Sequence, residues 1–481
     1  MSGAQLYVSV VVFAICLLAT FGAAWVGRVH TRRVESSALS DQKLSKWLVG
    51  LSAGATANSG FVVTGAVGLG YSFGAQWLML PIAWLLGDII FWALFPHRIN
   101  RAGAALRAST MTDVITDGLS AKSRRIVQLV VGVIILGCLG GYVSAQWIAG
   151  EKFLSGAFGF EGYAALLLFA ALIVGYTAIG EFRGSVYADS LQALVRIVGT
   201  AIALAAVIWV ASEHQDQFYR NWAAAGPDFL DPFPQATLWG AIGFVIGFTA
   251  AALGFGLGQP QMITRYLAGA SPNETRSAWW IYLGFVHLTW LSMTLFGMIL
   301  RGVLPALDDP EMGLSIFFSS MTGPLLTGII AADIFATIAA TSNSLLVAMS
   351  QTVRFDVLAR DAGDSARPAL LWPYTLILGL ATMAASAMLD SSVFALALTS
   401  AALLGAGLAP VMAARCLGWR LSGGIILTSI IAGFGTALIW NLTGLGSIVN
   451  EALPGMAIGF LPLVFNKLAT TSGQTRSAME T

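Results

Sequence analysis

Two short stretches hold the residues with the most chemical potential. LSAGATANSG (Leu51–Gly60) sets Ser52, Gly54, Thr56, Asn58, Ser59 and Gly60 inside an otherwise apolar run, and GFGLGQPQMITR crowds Gly254, Gly256, Gly258 and Pro260 into another. In hydrocarbon a backbone amide has no water to bond, so interrupted helices survive only where they line a cavity in protein. Such residues offer carbonyls, hydroxyls and N–H groups, not a nucleophile with its base. They suit a bound solute or a hard cation. Polar backbone groups are expected from Ala57, Asn58, Ser59 and Gly60 in the first stretch and from Gly258 and Gln259 in the second. A helix N-terminus exposed at such a break favours a carboxylate. Phe61, Trp77, Trp84, Tyr142 and Gln146 are candidates for the walls.

The elements that must position these residues are membrane helices. Of 481 residues, 57% are hydrophobic and 10% charged, against roughly 25% charged in soluble domains. Thirteen apolar stretches are long enough to cross about 30 Å of hydrocarbon. Of the 25 basic residues, 21 fall on the side of the loops that follow odd-numbered stretches, among them Arg98, Arg101, Arg107, Lys122, Arg124 and Arg125. That asymmetry predicts an external N-terminus and a cytoplasmic C-terminus, in a bacterial inner membrane. The two glycine-broken stretches are the second and the seventh, so they cross in opposite directions. Interrupted helices at matching places in two inverted halves point to a secondary-transporter binding site. The expected organisation is a first span and cytoplasmic loop (1–45), a first repeat of five spans (46–212), a second repeat with an outer loop (213–416), and two peripheral spans with a tail (417–481).

The same composition excludes other classes. A net charge of +1 without a basic run gives no support for nucleic-acid binding, and Cys16, Cys138 and Cys416 are too dispersed for a disulfide framework or metal site. Enzyme motifs such as H-E-x-x-H or a phosphate loop are missing. No resident cofactor and no obligatory oligomer are expected; the partners are a small solute and the bilayer.

Five motifs carry a resemblance. They are LSAGATANSG with GLGYSFG, YVSAQWIAGEKFL, GEFRGSVYADSLQ, GQPQMITRYLA and ADIFATIAATSNSLL. Together they resemble the sodium:solute symporters, the family of sodium/proline and sodium/sugar symport, and lie nearest its proline branch. The resemblance implies an all-α membrane protein of 13 transmembrane helices with a LeuT-type 5+5 inverted-repeat core and two broken helices. It also implies alternating access driven by a cation gradient, with sodium between the second and ninth spans. Its ligands there would be carbonyls of Ala55 and Asn58 and hydroxyls of the ninth span. The hydroxyl pair of the family falls on Ala339 and Ala340, whose methyls cannot coordinate sodium; Thr341 and Ser342 follow directly, and a one-residue slip brings Thr341 into place. Gln259 falls where the family has a polar substrate contact. Val62 falls where the sugar branch has a polar contact, and an unpaired sugar hydroxyl costs about 1–3 kcal/mol. The expected solute is therefore a small amino acid such as proline, or a small carboxylate.

Charges within the spans open an alternative. Asp189 matches the family's acidic residue near the cytoplasmic ion exit. Arg196 lies on the same helix face about 10 Å deeper, and an arginine in mid-membrane marks a functional hypothesis. In one reading its guanidinium, paired with Asp333, replaces the sodium charge and makes transport sodium-independent, by proton coupling or exchange. In the other it faces an inner vestibule and pairs with Asp189 or Glu181. Proton coupling would need a buried carboxylate, for which Asp88 and Asp333 are candidates, with His287 as a third. A solute sensor acting with a separate signalling partner is the remaining rival.

Overall fold

The computed structural model describes residues 3–32, 43–160, 163–233, 237–358, 371–389 and 392–479, with the side chains of 24, 27–32, 176, 179–181, 183 and 471–479 excepted. Glu181 thus lies outside the described side chains. The described chain is helical: α1 (Gly3–Arg32), α2 (Lys46–Ala57), α3 (Gly60–Val63), α4 (Gly65–Phe73), α5 (Met79–Leu94), α6 (Pro96–Leu106) and α7 (Met111–Ile115) come first. Then follow α8 (Ala121–Phe158), α9 (Tyr163–Glu213), α10 (Gln215–Ala224), α11 (Leu238–Gly258), α12 (Pro260–Leu267), α13 (Pro272–Ser277) and α14 (Trp279–Val303). The last are α15 (Gly313–Met321), α16 (Pro324–Gln351), α17 (Trp372–Ser386), α18 (Val393–Cys416), α19 (Gly423–Leu442) and α20 (Ala452–Met479). Ten helical runs among the described residues are long and apolar enough to cross a membrane, and Tyr163–Gly175 is a shorter apolar helix.

The 51 residues of α9 would reach about 75 Å as a rod, well beyond a bilayer core. Its contacts show that it turns back. Phe169 packs on Phe335 of α16 with ring centroids 5.6 Å apart, while Arg196 bonds Asp333 on the same turn of α16. On a straight helix Phe169 and Arg196 would stand about 40 Å apart. The sequence reads this region as two apolar stretches, 161–179 and 184–211.

Both expected helix breaks are present. At Asn58 the backbone leaves the helical region (φ −83°, ψ 65°), and Ser59 restarts it, its Oγ accepting from Phe61 N–H at 3.2 Å. The second break is at Gln259 (φ −94°, ψ 111°), with Pro260 as first residue of α12, where its missing N–H would have been unpaired in any case. A short parallel bridge stitches the two broken helices together: Leu44 N–H donates to the Ala268 carbonyl and Ala270 N–H to the Leu44 carbonyl, each at 2.8 Å. This joins the start of α2 to the end of α12, so the two helices run in opposite directions. Beyond the first break, α4 crosses α14 with backbone against backbone. A Cβ at Gly70 would strike the Thr294 carbonyl, and one at Gly297 would strike the Val67 carbonyl.

Candidate functional site

The cavity sits against the first break. Its empty volume is about 530 Å³, counting its mouth, and its floor is Ala57, Ser59, Phe61 and Val62. Six aromatic side chains wall it: Phe61, Trp84, Tyr142, Phe255, Trp290 and Phe394. They lean on one another edge-on, Phe61 with Trp290 at 5.1 Å and Trp84 with Trp290 at 5.5 Å between centroids. Such rings prefer this geometry because ring edge and face carry opposite partial charge. Polar lining comes from Ser59 and Tyr142. The walls suit a small organic solute with an apolar body and few polar groups.

Of the residues singled out from sequence, Ala57, Ser59, Phe61, Trp84 and Tyr142 line this cavity, whereas Asn58, Gln146, Gly258, Gln259 and Trp77 do not. Gln146 is spent on structure: its Oε1 accepts from Gly60 N–H at 2.9 Å and so caps the restarted helix. The N–H groups at the first break are thus already bonded: Asn58 to the Gly54 carbonyl, Ser59 to the Ala57 carbonyl and Gly60 to Gln146. Gln259 is likewise engaged, donating from Nε2 to the Ala401 carbonyl at 3.1 Å and accepting from Gln261 Nε2 at 3.0 Å. Gly258 packs on the backbone of Gly405. Asn58 donates to Thr289 Oγ1, and its Oδ1 is buried without a partner.

One layer toward the α2 start lies the candidate cation position. Thr341 Oγ1 donates to the Thr56 carbonyl at 2.9 Å and lies 3.5 Å from the Ala55 carbonyl. These are carbonyls that the broken helix leaves without a full complement of helical partners. Ser342 Oγ instead donates back to the Ile338 carbonyl (2.8 Å), and the Ala340 carbonyl accepts from Ser344 Oγ (2.8 Å). Ala339 and Ala340 are buried and contribute methyls. Thr341 is the hydroxyl residue that meets the break.

The charges sort themselves into two buried pairs. Arg196 Nη1 bonds Asp333 Oδ2 at 2.5 Å, with side chains 1% and 0% exposed. The carboxyl fits because Gly199 has no side chain to meet it. Asp189 pairs not with Arg196 but with Arg265, whose Nη2 lies 2.7 Å from its Oδ2. Arg265 also donates to Ser52 Oγ (2.7 Å), Ser344 Oγ (2.5 Å) and the Gln261 carbonyl (2.5 Å). One guanidinium thus joins α2, α9, α12 and α16 beneath the cavity. Sequence reasoning counted Arg265 among the loop charges; the signal against that was its place inside the seventh apolar stretch.

On the other side, Phe394 lines both the cavity and a wider recess bounded by Gly65, Ser72, Lys152, Asp309 and Glu311. Lys152 Nζ bonds Glu311 at 2.6 Å and Asp309 at 2.8 Å. Glu311 in turn accepts from the N–H groups of Val393 and Phe394 (3.3 and 3.4 Å), at the start of α18. One ring, held by one carboxylate, separates the two spaces.

Comparisons with known proteins give the family and the fold. The profile of the sodium:solute symporter family matches residues 38–412. The osmoregulated proline transporter OpuE of Bacillus subtilis is 25% identical over 480 residues, covering 96% of this chain and 94% of the relative. The sodium/proline symporter of Escherichia coli is 24% identical, covering 92% and 90%. Among solved structures, a Na+-coupled sialic acid symporter in a substrate-bound outward-open state superposes with a TM-score of 0.75 at 16% identity, covering 95% and 96%. Mhp1, a nucleobase-cation-symport transporter, gives 0.54 at 11% identity, covering 89% and 94%. The fold is LeuT-like and the relatives are transporters, not enzymes. The chain belongs to the sodium:solute symporter family.

Proposed function

We propose that this protein is a sodium-coupled symporter of proline or a similarly small zwitterion, working by alternating access across a bacterial inner membrane. In this reading thirteen spans place the N-terminus outside and the C-terminus in the cytoplasm, with spans two to six and seven to eleven as inverted repeats. The observation that carries it is the Thr341 hydroxyl lying on the Thr56 carbonyl beside the break. Hard oxygen donors without a fixed positive charge among them suit sodium. Arg196 does not supply that charge. It is neutralised by Asp333, which lies about 12 Å along α16 from Thr341. Solute would sit on Ala57, Ser59 and Phe61, so that the same break serves both cargoes and filling one site steadies the other. Opening inward must part Arg265 from Ser52, Asp189 and Ser344; opening outward must move Phe394.

The wall chemistry favours proline over a sugar. A pyrrolidine ring fits against aromatic faces, while Ser59 and Tyr142 are too few for a polyol. Relatives that carry proline agree with this choice. A thermal-shift measurement on purified protein with proline tests it, in sodium and in choline. Proline that binds the native state should raise the midpoint, and the rise should need sodium. A rise of equal size in choline would favour the sodium-independent reading, and no rise with proline would exclude proline as solute.

A further inference from the structure

Outside the cavity, α5 and α14 share a buried acid–base pair that neither cargo site uses. Asp88 is 1% exposed, and its Oδ2 lies 3.1 Å from His287 Nε2. The contact leaves both groups incomplete. Asp88 Oδ1 and His287 Nδ1 are buried without partners, and so are Trp92 Nε1, one turn along α5, and the Tyr266 hydroxyl on α12. Trp92 packs on Tyr266 and on Tyr282, at 5.4 and 5.2 Å between centroids. A carboxyl–imidazole contact that leaves a buried oxygen and a buried ring nitrogen unpartnered satisfies less than a structural clamp would.

The geometry points to a proton-binding site: Asp88 and His287 share one proton, taken from water, and its occupancy sets the solute affinity of the cavity. The charge count is simple. Carboxylate with neutral imidazole carries one negative charge between two apolar helices; adding a proton gives a pair of zero net charge, whichever atom holds it. Gaining or losing that proton therefore changes the net charge held between α5 and α14, where an uncompensated charge is costly. The link to the cavity is short. His287 is two residues from Thr289, which accepts the Asn58 side-chain N–H at the helix break. One turn earlier, Phe285 fills the space beside Gly54 of α2. The turn that bears the imidazole is therefore the turn that buttresses the broken helix, and Trp84, one turn before Asp88, walls the cavity.

Helices packed on α14 carry Tyr71 (α4), Tyr163, Tyr187, Glu213 and the already paired Asp189 and Arg196 (α9), Asp216, Tyr219 and Arg220 (α10), and Glu274 and Arg276 (α13). Helix α11 carries no titratable residue, and α2 carries only Lys46 at its first position. From α12 come Tyr266 and Arg265, the latter bound to Asp189. Tyr282 lies on α14 itself, and α6 brings His97, Arg98 and Arg101 to the far end of α5.

The inference rests on the reading of the protein as a transporter, and the test separates the two. Solute affinity of the full-length protein, with proline as probe at fixed saturating sodium, is measured from about pH 6 to about pH 8. One-proton linkage changes Kd by up to about tenfold per pH unit. Asp88→Asn and His287→Gln should each flatten that profile while keeping proline binding at one plateau value, because neither residue touches the cavity. A flat wild-type profile overturns the proton site, and so does an unchanged profile in either variant. If one variant does not fold, the wild-type profile and the other variant still decide. Loss of proline binding in wild type at every pH would instead count against the solute assignment, which sodium-driven uptake of other small zwitterions then addresses. Should those be carried, the same pH series is run with the solute found, and a flat profile there overturns the proton site.

Discussion

Arg196 and Asp333 allow a prediction whose size follows from the coordinates. The two charges are 2.5 Å apart and out of contact with solvent, and Arg196 Nε and Nη2 and Asp333 Oδ1 have no other partner. Each charge therefore depends on the other alone. Asp333→Asn keeps the shape that fits beside Gly199 but leaves a guanidinium uncompensated, which costs about 3–5 kcal/mol. Arg196→Met leaves a carboxylate instead, at a similar cost of about 3–5 kcal/mol. Combining the two removes both charges and leaves only a buried amide without a partner, at about 1–3 kcal/mol. The double variant should thus unfold at a higher temperature than either single one, with a coupling of at least about 3 kcal/mol in the cycle. The assay is thermal unfolding of detergent-purified protein, wild type with all three variants. Single variants as stable as wild type, or a double variant that shows the sum of the two losses, would refute the pairing. The double variant should also keep its need for sodium, since no charge at the break has been altered.

Further outcomes follow from the site. Thr341→Val removes the hydroxyl at nearly constant volume and should weaken sodium dependence of solute binding by roughly 10-fold or more, about 1.5–3 kcal/mol for a charge-assisted contact; Thr341→Ser should stay near wild type in the same titration. Phe394→Ala joins the cavity to the outer recess and should raise the solute dissociation rate by roughly 10-fold, about 1.4 kcal/mol, because the half-buried ring lines both spaces; an unchanged rate would show that the ring is no barrier. Arg265→Lys cannot reach Ser52, Asp189 and Ser344 together, so a cysteine placed at Ser344 should react faster with a thiol reagent added from the α2-start side of the membrane. Equal labelling rates with the native arginine and with its lysine replacement would remove the inner closure.

Much of the architecture was legible because lipid enforces it. Gly54, Asn58 and Ser59, or Gly258 and Pro260, cannot face hydrocarbon as an unbroken helix, and the breaks fall at Asn58 and Gln259. The cavity was half legible. Ala57, Ser59 and Phe61 follow from the break itself, but Trp290, Phe255 and Phe394 lie on spans whose aromatic residues have the same hydropathy whether they face lipid or solute. Gln146 and Gln259 illustrate a different limit. Both are polar residues next to a break, and whether such a side chain caps backbone or meets solute depends on a shift of a few ångströms that residue type does not encode. Arg265 was hidden by bookkeeping of loop charge: a half-helix of eight residues ends near the interface, so its buried arginine looks like a flanking one. Spacing along the chain placed Arg196 on Asp189's face, yet the closer partner for each came from another helix.

Uptake into proteoliposomes tests the central claim most directly. With labelled proline outside and an inward sodium gradient, the protein should accumulate proline above its external level, and replacing sodium with choline should abolish that accumulation. Equal accumulation in choline, or none with sodium for proline and other small zwitterions alike, would contradict sodium-coupled carriage through the cavity at the Asn58 break.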